Sequence, residues 1–89
     1  MENNSVLEYK KYGKVVLNLQ KLISDRNLTK YKVAKLANVR YEVIKKWCTG
    51  TVEKMDLDVL ARICYVLKCS IEDVMYYDES ISEVELEQE

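Results

Sequence analysis

The chain has 89 residues, 48% hydrophobic and 33% charged, with a formal net charge of −1, three Cys, two Gly and neither His nor Pro. That length fits one domain around one core, since compact domains run from about 50 to 200 residues. No run approaches the roughly 18 apolar residues of a membrane span, the shortage of Gly and Pro does not suit a turn-rich β-sandwich, and an odd number of cysteines makes no disulfide framework.

We therefore expect an all-α domain in a reducing interior. The opening MENNSVLEYKK lacks the apolar segment of a secretory leader, so the expected location is the cytoplasm. The charge is unevenly spread. From Lys10 to Gly50 eleven Lys or Arg face two acids, whereas from Thr51 to Glu89 eleven acids face three bases. Binding partners respond to the local field and not to the sum. The basic stretch favours an anionic partner such as nucleic acid. The plain alternative is that the acidic half neutralises the basic half for solubility.

Residues 1–12 are polar and without period, and read as a flexible arm. Lys14 to Asn27 reads as a first helix, with Val15, Val16, Leu19, Leu22 and Ile23 on one apolar face. Lys10, Lys11 and Lys14 cluster at its start, where the helix dipole disfavours cations, so they face solvent or an external anion. Asn27 is expected to end that helix in the left-handed conformation, and Leu28 to dip into the core. Thr29 offers an N-cap hydroxyl to a second, short helix carrying Val33, Ala34 and Ala37. Asn38 sits where the chain must reverse, and Asn tolerates the left-handed region better than any residue except Gly. A third helix runs from Tyr41 to Cys48, with Ile44 and Trp47 on its buried face and Glu42, Lys45 and Lys46 off it. Gly50 stops it.

After the linker TVEKM, Asp56 caps a fourth helix whose Leu57, Leu60, Ala61, Ile63, Cys64 and Leu67 form one broad apolar face. Lys68 lies near its C-terminus, where a cation is favoured. Ser70 and Asp73 make a capping-box pattern for a fifth helix, with Ile71, Val74 and Met75 pointing inward. The domain is thus expected to span residues 13–78. Residues 79–89 form an acidic tail, read either as disordered or, from the loose alternation over Ser82 to Glu87, as an edge strand in a dimer.

Metal and catalytic chemistry find little support. Cys64 and Cys69 are five apart, Cys48 lies on another helix, and structural zinc takes four Cys or His ligands with a tight pair. Cys48 and Cys64 read better as buried apolar fillers. Without His no Ser or Cys has its usual base, and no Gly-rich phosphate loop is present. No metal, cofactor or enzymatic activity is expected. Trp47 aligns with Ile44 and belongs to the core.

The segments NLTKYKVAKLANVRYEVIKKWCTG and DLDVLARICYVLKCSIEDVMYY together resemble the lambda-repressor-like helix-turn-helix domain of the Cro and phage-repressor class (XRE-type), over about residues 14 to 77. The resemblance implies a five-helix fold and a DNA-binding transcriptional regulator, a repressor that occupies its operator. It implies that the helix from Tyr41 to Cys48 enters the major groove, and that the second helix lies across the backbone with Thr29 and Lys30 near a phosphate. Free amides at a helix start make an anion site, and Lys30 adds a full charge. The family usually carries Gln where Lys30 stands, so an amide contact is exchanged for an ionic one. Arg40 stands at an N-cap position where Ser or Thr is common, forgoing a cap worth roughly 0.5–2 kcal/mol. It can reach a phosphate or a guanine edge instead. Ile23 and Cys48 stand where some relatives carry an Arg–Glu pair, an exchange that apolar groups can make without loss.

For base reading the candidates are Arg40, Tyr41, Glu42 and Lys46, since Arg or Lys can donate to guanine O6 and N7 and Glu can accept from cytosine N4. Glu42 also reads as a favourable acid in the first helical turn, and Tyr41 as a half-exposed surface aromatic. Lys45 and Lys46 suit phosphate or solvent better than a base. Thr49 can offer its backbone amide to a second phosphate, and Tyr31 and Lys32 flank the same surface. A lone domain reads few base pairs, so a homodimer on half-sites about 34–36 Å apart is expected, its interface in the last helices and tail. The competing class is an antitoxin-like module that keeps the fold and holds a protein partner through its acidic C-terminal half.

Overall fold

A computed structural model describes residues 12–80. Lys10 and Lys11, the rest of the expected arm before Tyr12, and the tail from residue 81 with its expected strand lie outside the described residues. The elements are strand β1 (Lys14–Leu17), helices α1 (Leu19–Asp25), α2 (Lys30–Ala37), α3 (Tyr41–Thr49), α4 (Leu57–Leu67) and α5 (Ile71–Val74), and strand β2 (Met75–Asp78). The fold is mostly helical with a small sheet, which corrects the all-α expectation.

The strands pair antiparallel, with Lys14 opposite Asp78, Val15 opposite Tyr77, Val16 opposite Tyr76 and Leu17 opposite Met75. The first helix therefore starts at Leu19 and not at Lys14, and Val15 is exposed. Adjacent β-branched residues favour extended backbone, and β2 supplies a ladder partner from the far end of the domain. At the junction the Asn18 amide donates to Val74 O at 2.6 Å, tying the start of α1 to the end of α5. Gly13 enters β1 at φ +83°, and Tyr77 crosses beside it. A Cβ there would lie 2.5 Å from Tyr77 Oη and 2.8 Å from Glu79 Cα. The Tyr77 hydroxyl donates to Tyr12 O.

Every helix feeds one core. Leu19 and Ile23 of α1, Val33 of α2, Ile44 and Trp47 of α3, Ile63 and Leu67 of α4 and Val74 of α5 meet in it. At roughly 1.5–3 kcal/mol per large apolar side chain, burial and not helix propensity holds such short segments. The ends are closed locally. Thr29 Oγ1 accepts from the Lys32 amide at 3.0 Å, and Asp56 Oδ1 from the Asp58 amide at 2.9 Å. Asp73 Oδ2 accepts from the Ser70 amide at 3.0 Å and from its hydroxyl at 3.1 Å. Asn27, Asn38 and Lys68 adopt positive φ. Two arginines serve helix C-termini: Arg26 Nε donates to Leu67 O at 2.8 Å, and Arg62 Nη1 to Ala37 O at 3.1 Å and Asn38 O at 3.3 Å. These are the carbonyls that a helix leaves without partners.

Two inward faces are corrected. Leu57 and Ile71 are 73% and 53% exposed, Ala61 is exposed as well, and Cys64 is only half-buried. The stripe of α4 that meets the core is Val59, Leu60, Ile63 and Leu67. At about 100° per residue, Leu57 and Ala61 fall to its side and rear. α5 is a single turn, and only Val74 is buried from it.

Candidate nucleic-acid interface

α2 and α3 form the two-helix unit, with Asn38 at φ 58° making the turn between them. The Val39 amide donates to Ala34 O at 3.0 Å and closes α2. Burial of Ile44 and Trp47 fixes the roll of α3 about its axis. Tyr41, Glu42, Lys45, Lys46 and Thr49 therefore line the opposite stripe, all exposed. Arg40 precedes them as an exposed N-cap in extended backbone (φ −69°, ψ 146°) and makes no side-chain cap bond. Gly50 ends the helix at φ 77°.

At the start of α2 the Lys32 amide is taken by the Thr29 hydroxyl and the Val33 amide by Thr29 O. The amides of Lys30 and Tyr31 stay open at the positive end of the helix. Lys30 is half-buried, its ammonium donating to Gln20 Oε1 at 3.1 Å, while Gln20 Nε2 donates to Ser24 Oγ at 3.1 Å. Gln20, Thr29, Lys30, Tyr31 and Tyr41 line an open concavity of about 350 Å³. An ammonium and two open amides around such a hollow can receive an oxyanion.

The rings of Tyr31, 69% exposed, and Tyr41, 39% exposed, lie 6.4 Å apart and tilted by 51°, linking the starts of α2 and α3. Lys32 is exposed on the same helix start. Thr49 is the last residue of α3, so its amide belongs to the helical ladder and is not open to a phosphate. Its hydroxyl donates to Lys46 O at 3.2 Å. Gln20 belongs to this concavity although nothing in its own residue type points to it. The available signal was Asn18, a residue type favoured just before a helix, which would have put Gln20 in the first turn.

Cys48 is half-buried beside the core that encloses Ile23, not enclosed itself. Burial pushes its thiol up, and Lys30 partly opposes the shift. Burial, and then the neighbouring Cys64, raises Cys69. Among the described residues no three His, Cys, Asp or Glu gather as a metal set, and no helix is long and apolar enough to cross a membrane.

A helix pair with a closed turn, a buried inner stripe and a cationic outer stripe defines a helix-turn-helix domain. The sequence matches the profile of the Cro/C1-type HTH DNA-binding domain over residues 18–80, and the chain belongs to that family. The solved structure of the transcriptional regulator VanUg aligns with 93% of this chain and 100% of its own, at 27% identity and a TM-score of 0.63. A Bacteroides fragilis protein to which DNA binding has been ascribed aligns with 71% of this chain and 100% of its own, at 14% identity and a TM-score of 0.63. No curated protein matches the sequence.

Proposed function

We propose that the protein is a cytoplasmic, sequence-specific transcriptional regulator that represses by occupying its operator as a homodimer. The observation that carries this reading is the outward stripe of α3, turned from the body by the burial of Ile44 and Trp47. With α3 in the major groove, Arg40 donates to a guanine edge, Glu42 accepts from cytosine N4, and Tyr41 meets a sugar or a thymine methyl. Thr29 and Lys30 hold a phosphate in the concavity at the start of α2, flanked by Tyr31. Lys45 and Lys46 meet the neighbouring backbone. Phosphate contacts then fix the register while base contacts specify.

The test is selection of bound sites from random duplexes, followed by mobility-shift titration at two salt concentrations. A recovered consensus of two half-sites about one helical turn apart is expected, with log affinity falling against log salt at about −0.9 per neutralised phosphate. Lys30→Glu weakens every duplex alike, whereas Arg40→Ala or Tyr41→Ala changes the ranking of sites. Absence of a shift at low salt with any duplex refutes the reading and leaves the antitoxin-like, partner-binding module.

A further inference from the structure

Helix α4 carries more apolar surface than the core consumes. Of its eleven residues only Asp58 and Arg62 are charged, and these two are paired with each other at 2.9 Å. Behind the core-facing stripe, Leu57, Ala61 and Tyr65 line up one turn apart at i, i+4 and i+8, with Leu57 73% and Tyr65 74% exposed. Leu36 of α2, 53% exposed, borders a groove with Ala61 and Tyr65. Ile71 of α5, also 53% exposed, borders a second groove along the same stripe. A helix that is apolar all round belongs in an interior, and monomers rarely expose a contiguous apolar patch larger than a few hundred Å².

We propose that this face of α4 is where a second copy of the chain packs, in a two-fold interface centred between Ala61 and Tyr65. Three features favour this occupant. A two-fold contact must be self-complementary, each residue meeting a partner residue that meets it in return. A small Ala61 and a large Tyr65 one turn apart supply a seat and a knob on the same helix. Crossing antiparallel about their midpoint sets Ala61 against the partner's Tyr65, and Tyr65 against the partner's Ala61. The same crossing brings Lys68 toward the partner's Asp58, opposite charges at the rim. The area also suffices. Leu36, Leu57, Tyr65 and Ile71 together expose roughly 500 Å² per copy, so two copies close about 1,000 Å², the lower bound for a specific interface. The inference supplies the contact surface for the homodimer proposed above, and rests on that reading only for its use on DNA.

Sedimentation of the full chain without DNA, from about 1 to 200 µM, tests it. The unsubstituted chain should dimerise in that range, and Tyr65→Glu should weaken the dimer at least about tenfold while the helical circular dichroism is retained. Tyr76→Glu, on the exposed face of β2, should leave the dimer intact. Should Tyr65→Glu fail to fold, Leu36→Lys on α2 should weaken the dimer in its place. A chain that stays monomeric throughout, a Tyr65→Glu dimer as tight as the original, or a dimer lost through Tyr76→Glu alone overturns the proposal. A dimer that obeys these expectations yet binds no duplex leaves the interface standing and removes the DNA reading. Duplex binding by a strictly monomeric chain does the reverse.

Discussion

Replacing Lys30 by Ala, beside Lys21→Ala as a control, separates cations offered to DNA from cations used by the fold. Lys21 is ion-paired with Asp25 at 2.8 Å, and Arg26 Nε is held by Leu67 O at 2.8 Å, so neither counts toward the duplex. With Arg40 given to a base edge, Lys30 and Lys32 at the start of α2 and Lys45 and Lys46 on the outer stripe remain for the phosphates. If each neutralises one phosphate, log affinity falls against log salt with a slope of about −3.6 per protomer and about −7.2 per dimer. Lys30→Ala should bring these to about −2.7 and −5.4, with the loss of affinity uniform across sequences. Lys30 is half-buried but its bond to Gln20 is open to solvent, so stability should move by no more than about 0.5 kcal/mol. Fluorescence anisotropy with the selected duplex and a scrambled one, at four salt concentrations, reads both quantities. An unchanged slope in Lys30→Ala, or an equal drop in Lys21→Ala, would refute this division of the charges.

Thermal melts followed by circular dichroism check the backbone. Gly50→Ala, at φ +77° in open space, should cost only strain of about 1–2 kcal/mol, whereas Gly13→Ala must also displace Tyr77 or the Glu79 backbone and should cost more. A smaller loss at Gly13 than at Gly50 would contradict the pairing of β1 with β2. Lys68→Gly relieves a left-handed residue at φ 54° but gives up the ammonium 4.4 Å from the Tyr65 ring. The net gain should be about 0.5 kcal/mol, or roughly 2–4 °C in Tm measured on dilute protein. A fall in Tm would rule that account out. The Asp73 carboxyl is held below its ordinary range by the Ser70 amide and then the Ser70 hydroxyl. Its folded pKa lies below its unfolded one, so its stabilisation is complete above the unfolded value and is lost as pH falls through the folded one. Tm should therefore drop below about pH 4, less steeply in Asp73→Asn, and identical acid limbs would exclude the capping box as a contributor.

What could be read from the sequence was what is encoded locally. Thr29, Asn38 and Gly50 each announce a helix boundary by their own stereochemistry, and all three take the expected conformations. Ile44 and Trp47 set the roll of α3 by spacing alone. The sheet is different, because Val15 and Val16 satisfy a helical period as well as a strand, and only contact with Tyr76 and Tyr77 decides between them. Leu57 and Ile71 show a second limit. Periodicity finds apolar stripes, but on a helix with two of them it cannot tell which one meets the chain's own core. Gln20 was hidden by the misplaced start of α1, and Lys68 because its residue type gives no sign of a left-handed position.

The three arginines of the chain extend the division of charge to stability. Arg26 and Arg62 each donate to carbonyls at a helix C-terminus, a task suited to a planar, permanently charged group. Arg40 stands at the opposite kind of end, where α3 offers amides and no acceptor, and where its charge meets the positive pole of the helix. The missing cap costs roughly 0.5–2 kcal/mol and the misplaced cation roughly 0.3–1 kcal/mol. No hydrogen bond or ion pair of the Arg40 side chain among the described residues offsets that loss, whereas a phosphate or a guanine edge does. Arg40→Ser should therefore stabilise the free protein by about 1–2 kcal/mol, or several degrees in Tm, as functional positions exchanged for local optima commonly do. The same substitution should weaken the selected duplex by about tenfold or more and relax preference at one base pair of each half-site. A variant that is no more stable, or one that keeps both affinity and site preference, would mean that Arg40 is neither strained in the free domain nor engaged in the complex.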